Sequence, residues 1–185
     1  MKRIATIIKS VSHLDYVAQV INPRVQSQIT NADYSLGSFV LIGTKSVGVI
    51  YDTELFNPNS LTLSSQKEQV SIFAPDLRDE VDVLLKILLL GSLETGNGKQ
   101  ELPTESLDAG MEVVRMTDES VKVFHLNSEG KPQVRYLTNL SNHAVKLNPG
   151  LFSCISSQLK GLFTPAQFSV IEVIERNLQW TNLAK

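Results

Sequence analysis

The stretch SFVLIGTKSVGVIY, residues 38–51, decides how the rest of the chain is read. Two runs dense in Val, Ile and aromatic side chains flank Gly43, Thr44 and Lys45, the composition of two apolar strands joined by a tight turn. Outward from it, RIATIIKS (3–10), LDYVAQVI (14–21) and AGMEVVRMT (109–117) are written in the same vocabulary. LDYVAQV alternates imperfectly, with Leu14, Tyr16, Ala18 and Val20 on one face. Short strands punctuated by turn residues predict a chain that is mainly β with α: a small closed or partly open β-barrel of about six strands with a C-terminal helical hairpin.

The segment APDLRDEVDVLLKILLLGSL (74–93) reads two ways. Asp76 can cap a helix with Asp79 and Glu80 in its first turn, yet the unbroken run Val83 to Leu90 fits a buried strand. The favoured reading is one helical turn followed by a long strand. ESVKVFHL (119–126) is either a strand or a helix capped by Asp118. A turn follows at Ser128 to Pro132, then a short strand, Gln133 to Leu137. Near the C-terminus the period changes. Asn148 with Pro149 opens a helix in which Leu151, Phe152, Ile155 and Leu159 share a face. Thr164 and Pro165 open a second, with Phe168, Ile171, Ile174 and Leu178 in line, and Gly161 to Phe163 join the two. The expected organisation is a barrel domain over 1–147 and a helical hairpin over 148–185 packed on it.

Two long connections, 22–37 and 56–69, are rich in Asn, Ser, Gln and Pro. Excursions of this length are either expendable surface or a place of contact. The candidate contact surface consists of Arg24, Tyr34, Phe56, Asn57 and Trp180.

GSLETGNGKQ (91–100) poses the question of a nucleotide site. A phosphate-binding G-x-x-x-x-G-K-[ST] loop fails in both frames. Gly91 and Gly96 are followed by Asn97, whereas Gly98-Lys99 is followed by Gln100 and lacks the first glycine. Pro103 also stands where a helix should run. The stretch reads as a turn at Gly96-Asn97-Gly98, and no cofactor is expected. His13, His125 and His143 have no metal-ligand spacing, and His125 beside Phe124 reads as a hydrogen-bonded structural histidine. Cys154, the single cysteine, rules out an intrachain disulfide and reads as an inert core residue. With 17 Lys and Arg against 19 Asp and Glu, the net charge of -2 argues against a dedicated nucleic-acid binder. No apolar run approaches the roughly 20 residues of a membrane span, and Lys9 breaks IATII before it reaches signal-peptide length. The expected setting is cytoplasmic, with no membrane partner.

The order of these pieces resembles the HAS barrel at the N-terminus of HerA-type DNA translocases and ATP synthase subunits. The likeness is carried by IATIIKSVSHLDYVAQV, SLGSFVLIGTKSVGVIYDTEL and LLKILLLGSLETGNGKQELPTESLDAGMEVVRM, with Gly37, Val40, Val47, Gly48, Ile50, Gly91, Pro103, Gly110 and Val113 at the matching positions. It covers roughly residues 3 to 126. In that family the barrels sit side by side in a ring that crowns a motor. A P-loop ATPase domain follows the barrel there; here two helices follow, so ATP hydrolysis is not carried over. The resemblance implies a non-catalytic assembly module, a homo-oligomer or one that docks on a protein partner such as an ATPase. The alternative is a barrel binding a small molecule or single-stranded nucleic acid between its loops. An enzyme built on His125 or His143 comes third.

Overall fold

The computed structural model describes residues 1–21, 29–56, 82–94, 96–143, 150–169, 171–173 and 176. Strands β1 (Lys2–Ser10), β2 (Asp15–Val20), β3 (Phe39–Ile42), β4 (Ser46–Phe56), β5 (Asp82–Glu94), β6 (Asn97–Lys99) and β7 (Glu112–Arg115) precede helices α1 (Asp118–Phe124), α2 (Leu137–His143) and α3 (Leu151–Lys160). Residues 165–169 and 171–173 are helical too, and a 3-10 turn, Asn31–Tyr34, leads towards β3. All pairings are antiparallel. They close the ring β1-β2-β5-β4-β3-β7 into a six-stranded barrel through the β2–β5 seam, which runs from Asp15 opposite Leu88 to Gln19 opposite Leu84. β6 stands outside the ring, folded back on the end of β5.

Two hydrophobic cores explain the residue pattern. Inside the barrel Ile4, Ile7, Tyr16, Ala18, Ile42, Ile50, Leu85, Ile87 and Leu89 meet. Outside it, the opposite faces of β3, β4 and β5, with Phe39, Val47, Val49, Tyr51, Leu88 and Leu90, are covered by Phe124, Leu140, Leu151, Phe152, Ile155 and Leu159 of the helices. β4 and β5 are therefore buried on both sides, and for that reason they read as unbroken apolar runs rather than alternating ones. β1 is covered on one side only: Ile7 is buried and Ile8 is 40% exposed. The strand reading of Val83 to Leu90 holds, and the helical turn foreseen before it lies outside the described residues. The stripe Leu151, Phe152, Ile155 and Leu159 is buried in full, and the joining turn at 161–163 and the helix starting after Thr164 stand where the spacing put them.

Several local expectations are corrected. Gln133 to Leu137 is not a strand. Pro132 makes an isolated bridge with Leu126, and Leu137 begins α2, because Val134, Tyr136, Leu137 and Leu140 all turn into the helical layer. ESVKVF of ESVKVFHL is helical, with His125 as the C-cap, but the N-cap is Thr117, whose side chain accepts from the Ser120 N–H, and Asp118 is the first helical residue. Of Gly96-Asn97-Gly98 only Gly96 lies in the turn; Asn97 and Gly98 belong to β6. Phe56, foreseen as the start of a loop, is the last residue of β4. Gly150 holds the N-cap position of α3, and Asn148 and Pro149 lie outside the described residues. Cys154 is half-buried at the edge of the core.

Candidate functional site

The glycine-rich stretch is a hairpin, with Ser92 opposite Lys99, Leu93 opposite Gly98 and Glu94 opposite Asn97. Its glycines serve close backbone approach. A Cβ on Gly91 would fall 2.0 Å from the Lys99 carbonyl oxygen, and one on Gly98 would fall 2.3 Å from the Phe124 carbonyl oxygen. Beside the hairpin runs a groove of about 210 Å³ lined by Lys45, Ser46, Ser92, Glu94, Lys99, Glu101, Thr104 and Glu105 among others. Lys99 Nζ lies 2.7 Å from Glu94 Oε2 and Lys45 Nζ lies 2.7 Å from Glu105 Oε2. Each carboxylate holds its ammonium above the ordinary lysine range. Both ammonium groups are already neutralised, and Glu101 adds a further negative charge. The groove's electrostatics oppose a phosphate.

The histidines fall into three settings. His125 is fully buried. Its Nδ1–H donates to the Val121 carbonyl at 2.7 Å and its Nε2 accepts from the Tyr136 hydroxyl at 2.8 Å, which fixes the tautomer of a neutral ring. Phe39, Phe124, Tyr136 and Phe163 meet it edge-on. Burial pushes it down to about 4, against a smaller opposing effect of the Val121 carbonyl, and pushes the Tyr136 phenol up. The histidine is thus structural, as the sequence indicated. Between pH 6.5 and 4 the unfolded chain binds a proton at this ring that the folded chain refuses. Stability is whole above about 6.5 and falls with pH towards 4, by about 3 kcal/mol for a displacement of this size. Urea unfolding across this window should show the decline, reduced in a His125→Gln variant; equal slopes in both proteins would contradict the assignment.

His13 bonds through Nε2 to the Pro103 carbonyl at 2.8 Å and ties the β1–β2 turn to the 101–108 connection. His143, at the end of α2, donates from Nε2 to Asp15 Oδ2 at 3.1 Å, and the Tyr51 hydroxyl donates to the same oxygen at 2.8 Å. Burial, then the Asp15 hydrogen bond, raises the Tyr51 phenol. The His143 bond ties α2 to the barrel wall across 128 residues of sequence, and the Tyr51 bond joins β4 to β2. The cluster was not foreseen. Its one signal is an aspartate set in the apolar run LDYVAQV. Among the described residues no group of three or more His, Cys, Asp or Glu is arranged to hold a metal ion, and no helix is long and apolar enough to cross a membrane.

Of the candidate contact residues, Arg24, Asn57 and Trp180 lie outside the described residues. Tyr34 ends the 3-10 turn, which is pinned to the barrel by Lys2 Nζ, 2.6 Å from Asp33 Oδ2, and by Arg115, which donates to the Ala32 carbonyl. The Lys2 ammonium, followed by the Thr30 N–H, holds the Asp33 carboxyl down at about 2. Tyr34 lines a second groove, of about 330 Å³, with Asn31, Ser35, Leu36, Thr53, Leu55 and Val83. Phe56 lies on the same strand as Thr53 and Leu55. The sequence reading missed those two because the apolar stretch it followed ends at Tyr51, and Thr53, Glu54, Leu55 and Phe56 carry no polar–apolar alternation that would extend it.

Comparison with known proteins gives a match between residues 1–185 and a family model described as a domain of unknown function (DUF8166). No curated protein matches the chain. The match spans the whole sequence, and the chain belongs to the DUF8166 family.

Proposed function

We propose that this barrel is a non-catalytic assembly or docking module that self-associates or seats on a protein partner such as a separately encoded ATPase. The observation that carries the reading is the filled interior. Tyr16, Ile42, Ile50, Leu85 and Ile87 close the barrel with side chains at 2% exposure or less, so recognition falls to the outer surface. The resemblance to HAS barrels, which pack side by side above a motor, supports the same reading. The shortage of free cationic groups in the hairpin groove weighs against nucleic acid as the ligand.

Light scattering on the purified full chain, alone and with an ATPase encoded beside its gene, tests the proposal. The expected result is a defined oligomer, or a monomer that forms a stoichiometric complex with that ATPase. A strict monomer at every concentration that leaves the ATPase unbound would overturn it.

A further inference from the structure

We propose that the outer edge of β4 from Asp52 to Phe56 is a docking strand, which takes an extended segment of another protein carrying lysine or arginine alternately with aliphatic residues. The inference rests on the docking reading above and names the surface and the partner chemistry.

β4 outruns its neighbour. β3 covers β4 only from Ser46 to Val49, and among the described residues the chain leading into β3 makes its last backbone hydrogen bonds to β4 at Ile50, where Gly37 N–H donates to the Ile50 carbonyl and Ile50 N–H to the Ser38 carbonyl. Beyond that point β4 pairs with β5 alone, from Asp52 opposite Lys86 to Phe56 opposite Asp82. No strand among the described residues lies on its other side. The Thr53 N–H is taken up by the Asp52 side chain at 2.9 Å rather than by a neighbouring backbone. It therefore points away from β5, and by the alternation of an antiparallel pair so does the N–H of Leu55. An edge of this kind is completed by another strand.

The two faces of the ribbon state what that strand must carry. Thr53, Leu55 and Val83 face the groove with Tyr34 and Leu36, and Leu55 is 70% exposed. On the opposite face stand Asp52, Glu54 and Asp82, with Leu84 and Phe56 among them and Lys86 as the one cation, its Nζ 3.1 Å from Asp52 and 3.6 Å from Glu54. A strand with aliphatic side chains on the first face and cations on the second complements both. A second copy of the same edge fits less well. With Thr53 opposite Thr53, Asp52 falls opposite Glu54, and with Thr53 opposite Leu55, Glu54 falls opposite Glu54, like charges that are destabilising when directly opposite; Leu55 opposite Leu55, with Glu54 opposite Phe56, avoids the clash but supplies no cation to either acidic side chain.

Fluorescence anisotropy with a labelled alternating Lys-Val hexapeptide tests this, with a Glu-Val hexapeptide as the control. Thr53→Pro removes an outward N–H while leaving the β5 ladder intact, and Glu54→Lys reverses the charge without touching either core. The wild-type chain should bind Lys-Val at least tenfold more tightly than Glu-Val, and each variant should lose at least tenfold in affinity with an unchanged circular dichroism spectrum. Equal binding by Thr53→Pro, or no preference between the peptides, would overturn the proposal. A wild-type dimer that Thr53→Pro dissociates would overturn it in favour of self-pairing. The assembly reading stands apart from these outcomes, because an oligomer or ATPase complex that survives Thr53→Pro removes only the edge.

Discussion

Gly91→Ala and Gly98→Ala are each expected to destabilise the protein by about 3 kcal/mol, the upper range for forcing a methyl into a packed site. At Gly91 the new Cβ meets the Lys99 carbonyl oxygen at 2.0 Å, and at Gly98 it meets the backbone of Phe124 at 2.3 Å. Backbone cannot swing aside as a flexible side chain can. The β5–β6 hairpin would have to lift from α1, and Gln100 would be drawn away from the Phe124 and Gln133 carbonyls to which its side-chain amide donates. Gly96→Ala is the control. Nothing lies within 4 Å of its Cβ, so only the cost of its positive φ remains, about 1–2 kcal/mol. Urea midpoints of the three variants decide the matter. Unaltered midpoints for Gly91→Ala and Gly98→Ala would contradict this account.

The second large effect concerns β5. Ile87→Ala empties part of the barrel interior and Leu88→Ala part of the helical layer, and both side chains are at 1% exposure or less. Neighbouring positions on one strand should therefore each cost about 2–5 kcal/mol. On β1, by contrast, Ile7→Ala should carry a cost in this range, whereas Ile8→Ala, at a side chain 40% exposed, should stay within about 0.5 kcal/mol. Chemical denaturation of the four variants checks the pattern. A mild effect at either Ile87 or Leu88 would mean that one of the two cores is wrongly drawn.

This difference between strands explains what could be read from the sequence. The strands of the 38–51 hairpin, β1, β2 and β7 announce themselves through β-branched and aromatic residues between turn signals, and α3 through its apolar stripe, because those signals are local. β5 was ambiguous for a physical reason: burial on both faces erases the period that separates a strand from a helix. QVRYL (133–137) misled because its residues alternate like a strand, while burial of Val134, Tyr136 and Leu137 in the helical layer favours the turn into α2. The candidate sites were harder still. The Asp15, Tyr51 and His143 cluster joins β2, β4 and α2, and the edge of β4 left without a partner strand among the described residues depends on where β3 stops. Both are products of strand order, which no local pattern encodes.

Barrel closure is the claim on which the filled interior, the outer helical layer and the surface-docking reading all depend, and it rests on the β2–β5 seam. Amide hydrogen exchange at those β2 N–H groups that point towards β5 tests it most directly. Closure predicts protection equal to that of the β4–β5 ladder, lost only with global unfolding. Fast exchange at these amides, as on the rim of an open sheet, while β4 and β5 stay protected, would contradict it.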